Sequence, residues 1–298
     1  MEQSSERREP RYAIASVAFT AARIDPGLHV VATPIGHLGD ITIRALETLA
    51  GADMVLCEDT RVTRVLFDRY AIRNHLSAYH EHNAEMMRPR IMDALAEGKS
   101  VALVSDAGTP LVSDPGYKLV TEAIAHGHKV IAAPGASAVL TALVSAGLPS
   151  DRFLFVGFLP SRSEARRQRI EALKPVDATL IIYEAPHRTA ETLAELAEIL
   201  GADRPAALCR ELTKKFEECR RGGLKALAEG AEAVPPRGEV VLVIGPPQEE
   251  ATGAGDVDAL LLAALAHQPV GKAAAEVARL TGQDRKALYR RALELKGG

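Results

Sequence analysis

Short apolar runs alternate with helix-type patterns from Leu28 to Gly147, and most of the runs are followed by a loop of small residues. Such runs fit strands that are buried on both faces, and their alternation with helices is typical of a parallel sheet covered by helices. Asp40, Asp59 and Asn83 are the expected N-caps. The predicted strands are 29–32, 54–57, 101–104 and 130–133, and the predicted helices are 41–50, 60 onwards, 84–97, 117–125 and 137–146.

The sequence LPSDR at residues 148–152 interrupts this pattern and predicts a domain boundary. A second α/β unit follows it, as expected for a chain of 298 residues, which is long for a single core. Its predicted strands are 153–158, 179–184, 206–209 and 239–244, with a further strand over 216–221, and its predicted helices are 162–173, 189–200 and 224–229. We assign 1–27 to a flexible N-terminal arm, 28–148 and 149–246 to two α/β domains, and 251–298 to a basic helical domain.

The basic helical domain differs in charge from the rest of the chain. Residues 271–298 carry seven Lys or Arg against three Asp or Glu, a net charge of +4 in a chain whose net charge is −3. The segment follows a linker rich in Gly, Pro and acidic residues at 245–256, and its patterns over 272–280 and 284–295 resemble a helix-turn-helix pair. This pattern fits nucleic-acid binding, and it fits a solvated helical face equally well.

The composition excludes several classes of protein. The net charge of −3 argues against nonspecific binding of nucleic acid over the whole surface, although it permits local basic patches. No apolar run approaches the ~20 residues of a membrane helix, and the polar start of the chain does not form a secretory signal. Cys57, Cys209 and Cys219 have no metal-ligand spacing. We therefore expect a cytoplasmic protein with no metal site and no membrane segment.

The signatures of several enzyme classes do not occur in the sequence. No GxGxxG follows a predicted strand, so a Rossmann dinucleotide site is unsupported. The sequence contains no GxSxG elbow, no HExxH, no CxxC and no EF-hand spacing. Gly98-Lys99-Ser100 precedes its strand and therefore does not form a phosphate loop.

The loop SDAGTPLVSDPG at 105–116 is longer than a strand-to-helix connection needs, since such loops usually take ~2–6 residues. It lies at the carboxyl end of a predicted strand, where open α/β sheets bind ligands. Its last residues, Asp114-Pro115-Gly116, are expected to start the helix at Tyr117.

Five further loops lie at the ends of predicted strands, and several of them combine Gly or Pro with one carboxylate. They are TPIGHLGD (33–40), CEDTR (57–61), PGASA (134–138), YEAPHR (183–188) and RELTKK (210–215). Such loops let main-chain groups approach a flat ligand while a carboxylate holds its hydroxyl or amino groups. An adenosine-bearing cation such as S-adenosylmethionine fits this chemistry better than a polyphosphate, which would need Lys and Arg.

At these loops the sequence resembles the ribosomal RNA small subunit methyltransferase I family, from about Leu28 to the C-terminus. The matching segments are VVATPIGHLGDIT, EDTR, HEHN, LVSDAGTPLVSDPG, GLPSDRF, GFLP, YEAPHR, CRELTKK, KAAAEVARLTG and RKALYRRAL. His37 departs from the family pattern, in which Asn is common.

The resemblance implies two α/β domains of the tetrapyrrole methylase type, with S-adenosylmethionine in the cleft between them, and a homodimer. The implied activity is methylation of the ribose 2′-oxygen of a cytidine in the decoding region of 16S rRNA, presented as isolated rRNA or as the assembled small ribosomal subunit. The implied cofactor-binding residues are Pro34, Ile35, Asp106, Gly108, Thr109, Ser137, Ala138, Tyr183 and Leu208.

Methyl transfer to a ribose hydroxyl needs alignment of the nucleophile and, in most schemes, a group that accepts its proton. The candidate bases in loops on the ligand side are Glu58, Asp59, His82 and Glu184, with His80 and His187 beside them. The sequence does not choose among them, and proximity without a base stays open. Asp59 is also explained as a helix cap, Glu184 as an ion-pair partner of Arg188, and the two histidines of HEHN as surface residues.

Contact with RNA needs positive charge. The candidate residues are Arg61, Arg162, Arg166, Arg167, Lys214, Lys272, Arg285, Lys286 and Arg290, with Arg64, Arg169 and Lys215 near them. Two other functions remain open: a methyltransferase of the same fold that acts on a tetrapyrrole precursor, and an RNA-binding assembly factor with a degenerate cofactor site. The basic tail argues against the first, and the intact SDAGTP loop argues against the second.

Overall fold

The structure is a computed structural model, and it describes residues 10–112, 116–247 and 254–297. The chain divides into two compact units, Met1–Pro246 and Pro247–Gly298. The first unit contains two five-stranded sheets and a two-stranded hairpin, and the second is helical in its described part.

The hairpin consists of β1 (Arg11–Ile14) and β2 (Val17–Thr20), which pair antiparallel. Tyr12 is only 4% exposed, lies in a core cluster of the first sheet, and is followed by Ala13, whose N–H donates to the Tyr70 carbonyl at 2.7 Å. The prediction of a flexible arm over 1–27 is therefore wrong for the hairpin, because an aromatic side chain at an alternating position anchors it. Residues 1–9 lie outside the described ranges.

The first sheet has five parallel strands in the order β5-β4-β6-β3-β7. Every residue of the interior strands β3 and β6 is buried, which explains why both are rich in apolar residues. The strands are β3 (Gly27–Val31), β4 (Met54–Cys57), β5 (Leu76–Ala78), β6 (Ser100–Leu103) and β7 (Val130–Ala133), and the helices of this part of the chain are α1 (Ile43–Gly51), α2 (Thr60–Arg69), α3 (Ala84–Ala96), α4 (Tyr117–Ala125) and α5 (Ala138–Ala146).

The helix caps follow the predictions only in part. Asp59 caps α2 as predicted, and its carboxylate accepts the N–H of Arg61 at 2.8 Å. Asp40 does not cap α1, because it lies in a short 3-10 turn before the helix. Thr42 is the cap instead, and its hydroxyl accepts the N–H of Ala45 at 3.1 Å.

Two other predicted helix starts differ in their details. Asn83 precedes α3, but its carboxamide oxygen accepts the N–H of His80 at 2.9 Å instead of capping the helix. Gly116 directly precedes α4 with φ of 128°, a conformation that suits glycine. The predicted contributions of Asp114 and Pro115 lie outside the described residues.

The second sheet is mixed, in the order β11-β10-β12-β9-β8. Only β8 and β9 pair in parallel, and the other three pairs are antiparallel. Its strands are β8 (Phe153–Phe158), β9 (Thr179–Glu184), β10 (Pro205–Arg210), β11 (Glu218–Gly223) and β12 (Val240–Ile244), and the helices of this part of the chain are α6 (Ser163–Leu173), α7 (Thr189–Leu200) and α8 (Leu224–Ala233).

Helix α5 packs on the second sheet although it precedes the predicted domain boundary. Val139, Ala142 and Leu143 share a core cluster with Ile181 and Ala207. A boundary after residue 148 thus separates α5 from the sheet that it covers. No local sequence pattern indicates this packing, because a small-residue helix packs equally well on either sheet.

The second unit contains α9 (Ala254–Leu265), α10 (Val270–Thr281) and α11 (Arg285–Gly297) around a small apolar core. Its fully buried residues include Leu261, Val277 and Leu288. Gly282 follows α10 with φ of 66°, so the predicted Thr281-Gly282 break is confirmed as a left-handed helix end. None of the helices in the described ranges is both long enough and apolar enough to cross a membrane.

Candidate functional site

Two adjoining cavities lie where the loops after strands of both sheets meet. The first cavity has a volume of about 390 Å³, and the second has about 320 Å³. Ile35, Ala107 and Glu239 line both of them. The predicted ligand loops after β3 and β6 and before α5 therefore converge on one place.

Main-chain contacts hold these loops together. Thr33 and Gly108 exchange two hydrogen bonds, at 2.8 and 3.1 Å, which join the loop after β3 to the loop after β6. Gly108 has φ of 78°, a conformation that other residues rarely adopt. The Thr109 hydroxyl donates to the carbonyl of Ala136 at 3.2 Å, which connects the same loop to the start of α5.

Six of the nine implied cofactor residues line the first cavity: Ile35, Gly108, Thr109, Ser137, Ala138 and Tyr183. Pro34 and Asp106 line the second cavity instead. The Leu208 side chain is 0% exposed in the core of the second sheet and lines neither cavity, so the place of this residue in the cofactor site stays a prediction. It faces a core cluster because strand residues alternate between the two faces of a sheet.

The first cavity is apolar with an acidic edge. Glu184 and Glu239 contribute its charged lining, and no Lys or Arg among the described residues lines it. Such a lining suits a cationic ligand with a flat apolar part better than a polyphosphate.

Two of the candidate bases already have structural roles. Hydrogen bonds from the Arg61 side chain and main chain lower the pKa of Asp59 to about 2, so its carboxylate is a weak proton acceptor. Glu184 is 2% exposed and accepts hydrogen bonds from Arg188 and Thr192. The capping role of Asp59 and the ion pair of Glu184 with Arg188 are thus both confirmed.

The other candidate bases do not contribute to the described lining of either cavity. The rings of His80 and His82 contact each other edge to face, with centroids 5.9 Å apart. Neither histidine lines either cavity among the described residues, and the same holds for Glu58 and His187.

Sequence reasoning missed a cluster of three charged residues at the cavities. Lys214 Nζ donates to Glu211 Oε1 at 3.0 Å and to Glu239 Oε2 at 2.9 Å. The ammonium group of Lys214 is thus held by two carboxylates at the second cavity, and its contact with RNA stays a prediction. Gly238 has φ of 81°, and a Cβ atom there would lie 2.2 Å from Glu211 Oε1. The sequence signal for this cluster is Gly238, which directly precedes Glu239 at the start of a strand.

Arg166, another predicted RNA contact, is 0% exposed. Its guanidinium pairs with Glu195 at 2.6 Å and with Glu191 at 2.6 Å. Burial opposes the ionisation of Glu195, but hydrogen bonds from Arg166 and Ser163 outweigh burial and hold its pKa below the ordinary value. The prediction for Arg166 is wrong because α6 packs this face against α7.

The remaining basic candidates lie at the surface. The Arg61 side chain is 89% exposed while it pairs with Asp59, Arg162 is exposed, and Arg167 pairs with Glu198. In the second unit, no described ion pair occupies the exposed residues Lys272, Arg285, Lys286 and Arg290. In the described ranges, no group of three or more His, Cys, Asp or Glu residues could hold a metal ion.

Two family models match this chain. The model of Tetrapyrrole (Corrin/Porphyrin) Methylases matches residues 27–228, and the model of the RsmI C-terminal HTH domain matches residues 251–296. Together with the two sheets and the cavities between their loops, these matches show that the chain is a methylase of the tetrapyrrole methylase class. The chain is 57% identical over 284 residues to "Ribosomal RNA small subunit methyltransferase I" of Mesorhizobium japonicum, covering 95% of this chain and 97% of that protein. It belongs to the ribosomal RNA small subunit methyltransferase I family.

Two further proteins are similar to this chain, one in sequence and one in fold. A protein of the same name from Halalkalibacterium halodurans is 50% identical over 223 residues, which are 74% of this chain and 77% of that protein. Among solved structures, uroporphyrin-III C-methyl transferase from Thermus thermophilus, complexed with S-adenyl homocysteine, matches with a TM-score of 0.52 and 21% identity. The match covers 74% of this chain and 97% of that one, and it shows a common fold.

Proposed function

We propose that the protein transfers the methyl group of S-adenosylmethionine to the ribose 2′-oxygen of a cytidine in 16S rRNA. The observation that carries this proposal is the family match over both the methylase region and the C-terminal helices, with a relative 57% identical over 95% of the chain. The relatives are named for the small subunit RNA, and the resemblance gives the position of the methyl group.

The first cavity fits the cofactor. Its apolar side chains, such as Ile35 and Tyr183, suit the adenine ring, and the loop residues Gly108 and Thr109 bring main-chain groups to its wall. Its acidic edge suits a sulfonium cation. When bound, S-adenosylmethionine supplies a methyl group on a positively charged sulfur, so the chain has to align the ribose and remove its proton.

Asp106 is proposed to hold the amino-acid end of the cofactor. Asp106 lines the second cavity, and its neighbour Ala107 lines both cavities. Asp106 therefore lies close to the junction of the two cavities. A carboxylate there can accept a hydrogen bond from an amino group.

RNA contact is assigned to basic residues that reach the surface. We propose Lys272, Arg285, Lys286 and Arg290 of the second unit as the main phosphate contacts, with Arg61, Arg162 and Arg167 of the first unit as further ones. The exposed cations of the second unit favour RNA over a tetrapyrrole precursor, because a small-molecule substrate has no use for a basic helical unit.

The protein is further proposed to act as a cytoplasmic homodimer. Exposed apolar side chains support an interface on α5 and on β8, which is an edge strand: Leu140, Val144, Phe153, Leu154 and Phe158. Light scattering gives a direct test, since a mass of one chain at micromolar concentration would contradict the dimer.

The substrate is tested with labelled S-adenosylmethionine and two forms of RNA, isolated 16S rRNA and assembled small subunits from cells without this modification. Label in either RNA supports the proposal and identifies the form required. Label in a tetrapyrrole precursor with none in RNA would favour the alternative.

A further inference from the structure

Glu239 is the carboxylate-bearing residue that lines both cavities. If the cofactor occupies the first cavity, as proposed above, a nucleophile from the second cavity has to approach it near this junction. Glu239 therefore lies where the nucleophile and the methyl group would meet.

The surrounding loop holds Glu239 in place. Its main-chain N–H donates to Glu211 Oε1 at 3.1 Å, and its carbonyl accepts the N–H of Glu211 at 3.0 Å. Its carboxylate accepts from Lys214 Nζ at 2.9 Å. Two non-glycine residues of this loop, Glu211 and Thr213, have positive φ, of 50° and 64°. Backbone strain of this kind persists where the surrounding structure imposes it, and it clusters at functional sites.

The first sheet also contributes to this arrangement. The N–H of His37 donates to the Thr213 hydroxyl at 3.1 Å, so the loop after β3 is tied to the loop that carries Lys214. Lys214 itself lines the second cavity. The ion pair of Lys214 and Glu239 thus lines the second cavity, at the place where loops from the two sheets meet.

The other charged groups at the cavities are less suited to accept a proton. The Glu184 side chain is 0% exposed and is held by Arg188 and Thr192, whereas the Glu239 side chain is 74% exposed and accessible to a substrate hydroxyl. Asp106 accepts the N–H of Asp59 at 3.0 Å and is assigned to the cofactor. Burial alone would lower the pKa of Lys214, but hydrogen bonds to Glu239 and Glu211 outweigh burial and raise the pKa, so Lys214 stays an ammonium ion.

We infer that Glu239 accepts the proton of the ribose 2′-hydroxyl, and that Lys214 is the positioning residue that holds its carboxylate at the junction. The ribose oxygen forms a bond to the methyl carbon, and the bond from that carbon to sulfur breaks with its electron pair going to sulfur. The hydroxyl proton passes to an oxygen of Glu239 and then to solvent. The second cavity receives the target ribose, with Val62 and Val65 of α2 as its apolar wall.

The test is the pH dependence of methyl transfer by Glu239→Gln, with tritiated S-adenosylmethionine and small ribosomal subunits both saturating. We expect kcat to fall about 100-fold near neutral pH, because general-base catalysis contributes ~10²–10⁴-fold. The residual rate should keep rising with pH where the wild-type rate has levelled off, since hydroxide then replaces the lost base. Cofactor affinity, measured by calorimetry, should change much less than kcat.

Lys214→Met tests the positioning role. It should lower kcat while the rate still levels off with pH as in the wild type, because Glu239 remains, and Lys214→Arg should restore part of the rate. Glu217→Gln is the matched control in the same loop. Its carboxylate accepts the N–H of Thr213 at 2.5 Å and lines neither cavity, and glutamine retains an acceptor.

The inference is overturned if Glu239→Gln keeps at least about one third of the wild-type kcat, against the loss that general-base catalysis requires. It is also overturned if kcat at saturating cofactor is unchanged while cofactor affinity falls, or if the rate falls equally at every pH together with the melting temperature. The proposed function fails separately, when the wild type binds S-adenosylmethionine but labels neither subunits nor rRNA.

Discussion

The N–H of Asp59 donates a hydrogen bond to the carboxylate of Asp106 at 3.0 Å. This contact joins the loop after β4 to the loop after β6 at the second cavity. Asp59 is also the cap of α2, so the Asp106 carboxylate lies at the positive end of that helix, where a negative charge is stabilised. The helix and the loop together fix the direction of one carboxylate at the edge of the proposed cofactor site.

Replacement of Asp106 by alanine should weaken cofactor binding while the fold stays intact. A charge-assisted hydrogen bond contributes ~1.5–3 kcal/mol, so the dissociation constant of S-adenosylmethionine should rise roughly 10–100-fold. Calorimetry measures this directly. Asp68→Ala, an exposed position on α2, is the control, and an Asp106→Ala affinity as high as that of the control would remove Asp106 from the cofactor site.

Replacement of Arg166 by alanine should destabilise the protein strongly and leave RNA binding by the folded enzyme unaltered. It leaves the carboxylate of Glu195, which is 7% exposed, without its partner, and breaking a buried pair costs ~3–5 kcal/mol. Arg167→Ala is the matched control on the same helix, since its partner Glu198 is exposed and such pairs contribute only ~0–1 kcal/mol. Urea unfolding of the two variants compares them, and equal midpoints would contradict the buried pair.

Asp59 should titrate near its lowered pKa of about 2. A carboxylate with a lowered pKa in the folded state contributes stability above its unfolded pKa, and that contribution is lost as pH falls through the folded value. Arg61→Ala should move the titration towards the ordinary range of Asp. Carboxyl carbon NMR can follow it, and an unperturbed pKa in the wild type would return Asp59 to the candidate bases.

Removal of the exposed cations of the second unit should weaken RNA binding alone. We consider the variant in which Lys272, Arg285, Lys286 and Arg290 are changed to alanine. Its KM for small subunits should rise. The slope of log affinity against log salt concentration should become shallower by ~0.7–0.9 for each phosphate contact that is lost. Cofactor affinity should stay as in the wild type.

The competing account holds that the second unit only stabilises the protein. Under that account, truncation after Gly245 lowers the melting temperature and the cofactor affinity together, and the salt dependence of the remaining RNA binding is unchanged. Arg291 is a useful control, because it pairs with Asp258 within the same unit. Its replacement should affect stability more than salt dependence.

The ligand loops could be predicted from the sequence because their signals are local. Gly108 has a positive φ, which favours glycine, and it follows a run of buried residues whose apolar pattern predicts a strand. The sequence predicts Tyr117–Ala125 and Thr189–Leu200 with their observed bounds for the same reason, since their apolar spacing and end residues are local signals.

The errors concern residues whose role depends on distant partners. Arg166 reads as a surface cation until α7 supplies Glu195, 29 residues further along the chain. The ion pair of Lys214 with Glu239, 25 residues away, also has no local signal in the sequence. Periodicity cannot report such pairings, because they follow from how helices and strands pack.

The most direct test of the central claim is the position of the methyl group after reaction with small ribosomal subunits and labelled S-adenosylmethionine. The subunits come from cells without the modification, and the labelled 16S rRNA is digested to nucleosides and analysed by mass spectrometry. We predict one labelled product, a cytidine methylated on its ribose 2′-oxygen, formed by the wild type and lost with Glu239→Gln. A label on a base, or no label in subunits and isolated rRNA while the enzyme binds cofactor, would contradict the proposed function.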